Sequence, residues 1–209
     1  MTFADEPRHR GMSNVSCHIA MSLDGYAAGP NQSLENPLGE GGMRLHDWAL
    51  DAATDADRAI REQIVDFGAF VMGRKMFGGG DGEWDESWRG WWGEEPPYHA
   101  PVYVLTHHPR EPLRMEGATT FHFVTDGIES ALEQARAAAG DRDVAIAGGA
   151  STVRQYLAAG LLDELNLHIA PVVLGGGERL LEDVGDPALE LVEVSGTPGA
   201  AHVRCRVIR

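Results

Sequence analysis

The 209-residue chain is poor in cysteine: it has only Cys17 and Cys205, both in apolar stretches near opposite ends. That count excludes a disulfide-stapled secreted scaffold and predicts two buried thiols in a reducing cytoplasm. Long apolar runs are also missing, so no segment reaches the roughly 18 residues that a membrane span needs. The segment from Met1 to Gly11 is charged and lacks the apolar stretch of a secretory signal. Cations are scarce, with 17 Lys and Arg against 32 Asp and Glu, which gives a net charge of -15. Such a surface repels phosphate backbones, so nucleic acid and anionic membranes are excluded as partners and a small molecule is left. Three motifs are absent as well: the dinucleotide fingerprint G-x-G-x-x-G, the P-loop G-x-x-x-x-G-K-[ST], and the zinc deaminase pair H-x-E and P-C-x-x-C. No metal site is expected, because His107 and His108 are adjacent and point to opposite faces of an extended chain.

What is present is a hydrophobic fraction of 43%, enough for a globular core. Residues 1–12 read as a polar arm, and 13–209 as one domain. Apolar runs predict strands at Val15–Met21, Ala69–Met72, Val102–Thr106, Thr119–Val124, Val144–Ala147 and Glu164–Leu174. Two more, about Leu189–Val194 and Ala201–Val207, read as a terminal hairpin. Helices are predicted over about Leu45–Asp66, after a cap at Asp126 up to Gly140, and from the turn at Gly148 to about Ala159. Strands alternating with helices argue for a layered α/β fold with a largely parallel sheet. Between Gly78 and Pro101 the pattern breaks down, and four of the five tryptophans crowd there: Trp84, Trp88, Trp91 and Trp92. Such a segment is a substrate lid, a subunit contact or a loop packed on the body.

Three segments carry the chemistry. Strand, then Gly148-Gly149-Ala150-Ser151-Thr152, then helix is either a tight turn or an anion cradle; glycines admit a ligand to the backbone, and the first helical turn offers N–H groups. Gly73-Arg74-Lys75 closes a buried strand with two cations, which suit a phosphate. Thr106-His107 follows the next strand. Three such sites at the ends of neighbouring parallel strands lie where open α/β sheets bind ligands. Asp24, after the first strand, and Asp47, at a helix start beside Trp48, are the candidate proton handlers. Asp47 also reads as a plain first-turn carboxylate.

The ordered segments Met21-Ser22-Leu23-Asp24-Gly25-Tyr26, Val71-Met72-Gly73-Arg74-Lys75, Val104-Leu105-Thr106, Ala147-Gly148-Gly149-Ala150-Ser151 and Leu162-Asp163-Glu164-Leu165, running on to Ala170-Pro171-Val172-Val173-Leu174-Gly175, resemble the dihydrofolate reductase-like superfamily. They look closest to the reductase domain of the riboflavin-biosynthesis deaminase-reductases. The resemblance implies a three-layer fold around about eight mostly parallel strands, with the antiparallel hairpin at its end. It implies NADPH across the strand ends: Gly73, Arg74, Lys75, Thr106 and His107 at the adenosine end and its 2′-phosphate, and Gly148, Gly149, Ala150, Ser151 and Thr152 at the pyrophosphate. The loop after Asp24 would close over the nicotinamide, and a homodimer is implied. Riboflavin-pathway reductases carry a substrate-binding glutamate where this chain has Ala147, a departure that counts against their ribosylaminopyrimidine substrate. The expected function is an NADPH-dependent reductase of a small heterocycle or conjugated C=N or C=O compound, with Trp48, Trp88 and Trp91 facing substrate. The alternative is a non-catalytic NADPH- or ligand-binding protein of the same fold.

Overall fold

The computed structural model describes residues 13–51, 54–80 and 82–208, so the expectation for residues 1–12 lies outside the described residues. The first apolar run forms strand β1 (Val15–Ser22), followed by the short β2 (Tyr26–Ala28). A 3-10 helix (Gly42–His46), α1 (Asp47–Asp51) and α2 (Asp55–Val65) lead to β3 (Ala69–Gly73) and α3 (Arg74–Phe77). Then come β4 (Pro101–Leu105), β5 (Leu113–Arg114), β6 (Thr120–Val124), α4 (Ile128–Ala139), β7 (Val144–Gly148), α5 (Ala150–Ala158) and β8 (Glu164–Ala170). The chain ends with β9 (Glu178–Arg179) and the hairpin β10 (Ala188–Gly196) and β11 (Ala201–Ile208).

Among the described residues nine strands form one sheet in the order β10-β11-β8-β1-β7-β3-β4-β6-β5, and β2 and β9 form a second, small one. From β8 to β6 every neighbouring pair is parallel, while β11, β10 and β5 run antiparallel at the two edges. The fold is the expected mostly parallel α/β sheet with an antiparallel C-terminal hairpin. Side chains alternate across each strand, and β1 shows the consequence. Cys17, Ile19 and Met21 join Val71, Val144 and Ile146 in a core with α4 and α5, through Leu132, Val153 and Tyr156. Tyr156 is fully buried, and its hydroxyl donates to Ile128 O at 2.7 Å, tying α5 to α4. On the other face His18 meets Phe67 edge-on, with ring centres 5.9 Å apart, while Ala20 packs with Leu45, Ala170 and Val172.

Three sequence boundaries need correction. The helix expected over Leu45–Asp66 is three pieces, because Thr54 starts a new helix: its side chain accepts from Asp57 N, and the Asp57 carboxylate accepts from Thr54 N. Such a reciprocal cap satisfies amides that a helix start leaves without partners. The cap of α4 is Gly127, one residue beyond the expected Asp126. The strand expected to reach Leu174 stops at Ala170, because Pro171 follows and has no N–H for the ladder.

Candidate functional site

The parallel strands β7, β3 and β4 end side by side, and the next residues of each converge. Gly73 closes β3 against the first turn of α5: a Cβ there would collide with the Thr152 hydroxyl, and Thr152 is itself buried. Arg74, one residue on, reaches across to β4, its NH1 donating to Thr106 Oγ1 at 3.3 Å. Thr106 is held by its own amide, which donates to Val124 O at 3.0 Å. Gly73, Arg74, Thr106, Gly148 and Thr152 are therefore one continuous ledge at the carboxyl edge of the sheet. Lys75 and His107 are exposed beside it, and Lys75 Nζ lies 3.7 Å from the Glu178 carboxylate.

The turn from β7 into α5 has the shape of a cradle. The Gly148–Gly149 peptide is cis, and Gly148 has φ +120, a conformation that disfavours any residue with a Cβ. Gly149 is the N-cap of α5 with φ -70, and a Cβ added there would meet nothing within 4 Å. The turn therefore opens onto space, with the amide-rich start of a nine-residue helix behind it. Ser151 is exposed at that start. This donor set and this vacant approach fit the pyrophosphate of a dinucleotide.

Asp24 is tied into the backbone of a neighbouring loop. Its carboxylate accepts from Leu174 N at 3.1 Å and Gly175 N at 2.7 Å. The Ser22 hydroxyl, then these two amides, bring its pKa down to about 2 against the opposing effect of burial. Asp24 is therefore an ionised clasp that joins the turn after β1 to the loop after β8. Asp47 is exposed on α1 and borders a cavity of about 260 Å³ with Trp48, Asp51, Thr54, Asp57, Pro198 and Gly199.

The tryptophans expected at the substrate separate into two groups. Trp48 is buried between the hairpin and β8, its ring centre 4.8 Å from that of His168 and 5.0 Å from that of His202. Trp88 and Trp91 lie together with ring centres 4.5 Å apart, beside the end of β3, where Trp88 Nε1 donates to Phe77 O at 3.1 Å. Trp92 packs on Tyr98 and Phe121, and Trp84 on Phe77 and Phe123. All four loop indoles thus pack on the β3–β4–β6 half of the sheet, because that half supplies an aromatic bed; Asp24 and Trp48 belong to the β1–β8 half.

Sequence reasoning missed the histidine cluster around Trp48. Its three imidazoles come from β1, β8 and β11, and only strand register brings His168 beside His202 and Ala20. The Arg110 guanidinium, which the sequence offers as a phosphate ligand after the third predicted strand, instead has a side chain only 4% exposed, and its NH2 donates to Glu86 O and Trp88 O at 3.0 and 2.9 Å. Among the described residues no group of three or more His, Cys, Asp or Glu is arranged to hold a metal, and no helix is long and apolar enough to cross a membrane.

Comparison with known proteins agrees with this architecture. The family model of the RibD C-terminal domain matches residues 13–203. The chain belongs to this family. A relative in Bacillus subtilis (strain 168), the uncharacterized protein YyaP, is 26% identical over 176 residues, covering 79% of each chain. The crystal structure of a putative riboflavin biosynthesis protein from Shewanella sp. PV-4 superposes with a TM-score of 0.65 at 21% identity, covering 94% of this chain and 99% of that one. The Thermotoga maritima diaminohydroxyphosphoribosylaminopyrimidine deaminase/5-amino-6-(5-phosphoribosylamino)uracil reductase gives 0.59 at 17% identity, covering 94% of this chain and 57% of that one. Dihydrofolate reductase from Enterococcus faecalis, in complex with NADP(H), gives 0.58 at 16% identity, covering 93% and 96%. The fold is that of the RibD and dihydrofolate reductase-like reductases.

Proposed function

We propose that the protein is an NADPH-dependent reductase acting on a small heterocycle or another conjugated C=N or C=O compound. The observation that carries this reading is the continuous ledge of Gly73, Arg74, Thr106, Gly148 and Thr152 along three adjacent strand ends. Anions are favoured there by the start of α5 and by the cations that follow β3 and β4. Gly148 to Thr152 would hold the pyrophosphate, and Arg74, Lys75, Thr106 and His107 the adenosine end with its 2′-phosphate. NADPH supplies the hydride when bound; the protein supplies orientation and a route for the proton. Asp24, ionised and engaged by two amides, fixes the loop at the nicotinamide end. The substrate proton then comes from water or from Asp47.

Calorimetric titration with NADPH and NADH tests the reading, followed by a substrate screen on the absorbance of reduced nicotinamide. The expected result is a preference for NADPH of at least about tenfold, or roughly 1.4 kcal/mol. Equal affinity for the two would overturn the assignment of these cations to the 2′-phosphate. Tight binding without turnover of any compound would favour a ligand-binding protein, a reading supported by the engagement of Asp24.

We also infer a homodimer formed through the terminal hairpin. Strand β10 is one of the two edges of the sheet, the longer one, and is exposed along its whole length. It carries Leu189, Leu191 and Val194 at 42, 61 and 59% exposure, in cross-strand register with Val207, Cys205 and Val203. A long apolar edge of this kind pairs readily with another strand, and a second copy supplies an identical one.

A further inference from the structure

Trp84 lies against the cation assigned to the cofactor's adenosine end. Its ring centre is 3.6 Å from the guanidinium carbon of Arg74. Phe77 and Phe123 meet the indole edge-on, with ring centres 5.8 and 4.9 Å away, and its Nε1 donates to His108 O at 2.8 Å. The guanidinium is engaged at its edges too, with NH1 on Thr106 Oγ1 and NH2 on Gly82 O. The same loop sends carboxylates to the neighbouring basic side chains: Glu83 lies 3.2 Å from His108 Nδ1, and Glu86 lies 3.5 Å from Arg110 Nε. An aromatic plane on Arg74, with anions on His108 and Arg110, is the pairing that a phosphorylated nucleoside would present to this edge.

Glycines in the left-handed region flank the loop. Gly78, Gly79 and Gly80 stand immediately before it with φ of +86, +85 and +77, and Gly90 and Gly93 follow it at +95 and +71. A Cβ at Gly78 or Gly79 would collide with Trp91 or Trp88, whereas one at Gly80 would meet nothing within 4 Å, so Gly80 is the open point of the three. Between the glycines, Gly82, Glu83, Asp85, Glu86 and Ser87 are exposed. Besides these ion pairs, the stretch is anchored by Trp84 and by two backbone contacts, Arg74 NH2 on Gly82 O and Arg110 NH2 on Glu86 O.

We propose that residues 82–87 act as an internal nucleotide mimic. Trp84 occupies the place of the adenine base, Glu83 and Glu86 stand in for phosphate, and the adenosine end of the cofactor binds only by displacing them. The proposal rests on the reading of this edge as an NADPH site. It makes Trp84 the residue that sets the affinity of the adenosine end, whereas the turn at Gly148–Gly149 is open from the start.

The test uses two probes that divide the cofactor. Adenosine 2′,5′-bisphosphate carries only the adenosine end, and reduced nicotinamide mononucleotide only the other. Binding of each, and of NADPH, is measured by calorimetry on the wild type, Trp84→Ala and Trp84→Leu; the leucine keeps apolar packing on Phe77 and Phe123 should the alanine variant fail to fold. The mimic predicts that loss of the indole tightens adenosine 2′,5′-bisphosphate and NADPH by at least about tenfold and leaves the mononucleotide unchanged. Adding Arg74→Met to Trp84→Leu should abolish that gain. Equal or weaker binding of the bisphosphate by the Trp84 variants overturns the mimic, and if the wild type binds NADPH in that case the cofactor reading stands. If no protein in the set binds either NADPH or the bisphosphate, both fall together.

Discussion

His168 Nδ1 lies 2.9 Å from Nδ1 of His202 in the buried interior beneath Trp48. The other nitrogen of His168 is 3.2 Å from His18 Nδ1, so three imidazoles from β8, β11 and β1 share one hydrogen-bonded chain. Each nitrogen pair has room for one proton, so the three rings cannot all be charged at once. Burial lowers the pKa of His18 to about 4, helped by the nearby Arg204 charge, and lowers that of His168 to about 3, helped by the neighbouring histidines. His202 is also lowered by burial, against the opposing pull of Asp57.

This chain predicts an acid-labile fold. The unfolded chain takes up these protons near pH 6.5, while the folded one resists until about pH 4 or below. The stability they contribute is thus complete above about pH 6.5 and is lost progressively as pH falls toward 4. Each excess proton bound by the unfolded state costs up to about 1.4 kcal/mol per pH unit. Urea midpoints at pH 7.5 and 5 should differ clearly in the wild type, and the difference should shrink in His168→Leu. Parallel pH profiles for the two proteins would show that the chain has no such role.

Gly149→Val separates a ligand cradle from a plain turn. Gly149 has φ -70 and open space where its Cβ would stand, so the variant should fold with a Tm close to that of the wild type. Cofactor binding should weaken by at least about tenfold, because the side chain fills the approach to the α5 amides. Undiminished NADPH binding in the folded variant would mean that the turn is purely structural. Gly148 is unsuited to this experiment: its φ of +120 makes any replacement strained regardless of ligand.

Ala147 precedes this turn and packs, partly buried, against the aromatic cluster of Phe70, Phe77 and Phe121. With no carboxylate there to hold a polar ring, the protein is expected to turn over the ribosylaminopyrimidine of riboflavin synthesis poorly. Purified protein, that compound and NADPH, followed by absorbance, decide it. Efficient reduction would show that recognition does not depend on a glutamate at this position.

Much of this was legible from local pattern. The strand runs, the glycine turn and the Gly73-Arg74-Lys75 exit are local signals, and the parallel order of β7, β3 and β4 gathers them as expected. What stayed hidden is set by pairings distant in sequence. His18, His168 and His202 are 150 and 34 residues apart, and no periodicity marks them as neighbours. The clasp from Asp24 to Leu174 and Gly175 is a side-chain-to-backbone contact of the same range. The stacking of Trp84 on Arg74 lies in a glycine-rich loop, where periodicity carries no information. The lone β2–β9 pair was missed because each strand has at most three residues, too few to show alternation.

The terminal hairpin yields the last prediction. A bulge between Leu191 and Glu193 shifts the register of β10. It puts Leu189, Leu191 and Val194 on one side, while Glu190 and Glu193 pair with Arg206 and Arg204 at 2.9 and 3.4 Å on the other. The acidic residues are thus satisfied within the hairpin, and the apolar stripe is left facing solvent on this free edge. These side chains are already about half buried, so covering the rest against a second copy is worth roughly half of the 1.5–3 kcal/mol of full burial for each, before the costs of association. Leu191, the most exposed of them, belongs at the centre of that contact. Leu191→Lys should therefore weaken the homodimer by at least about tenfold in sedimentation equilibrium, with the thermal midpoint becoming less dependent on protein concentration. The Glu190→Ala variant should have a smaller effect, since its partner Arg206 lies within the same chain. A wild type that remains monomeric at high micromolar concentration would refute the dimer, and a dimer indifferent to Leu191→Lys would move it to another surface.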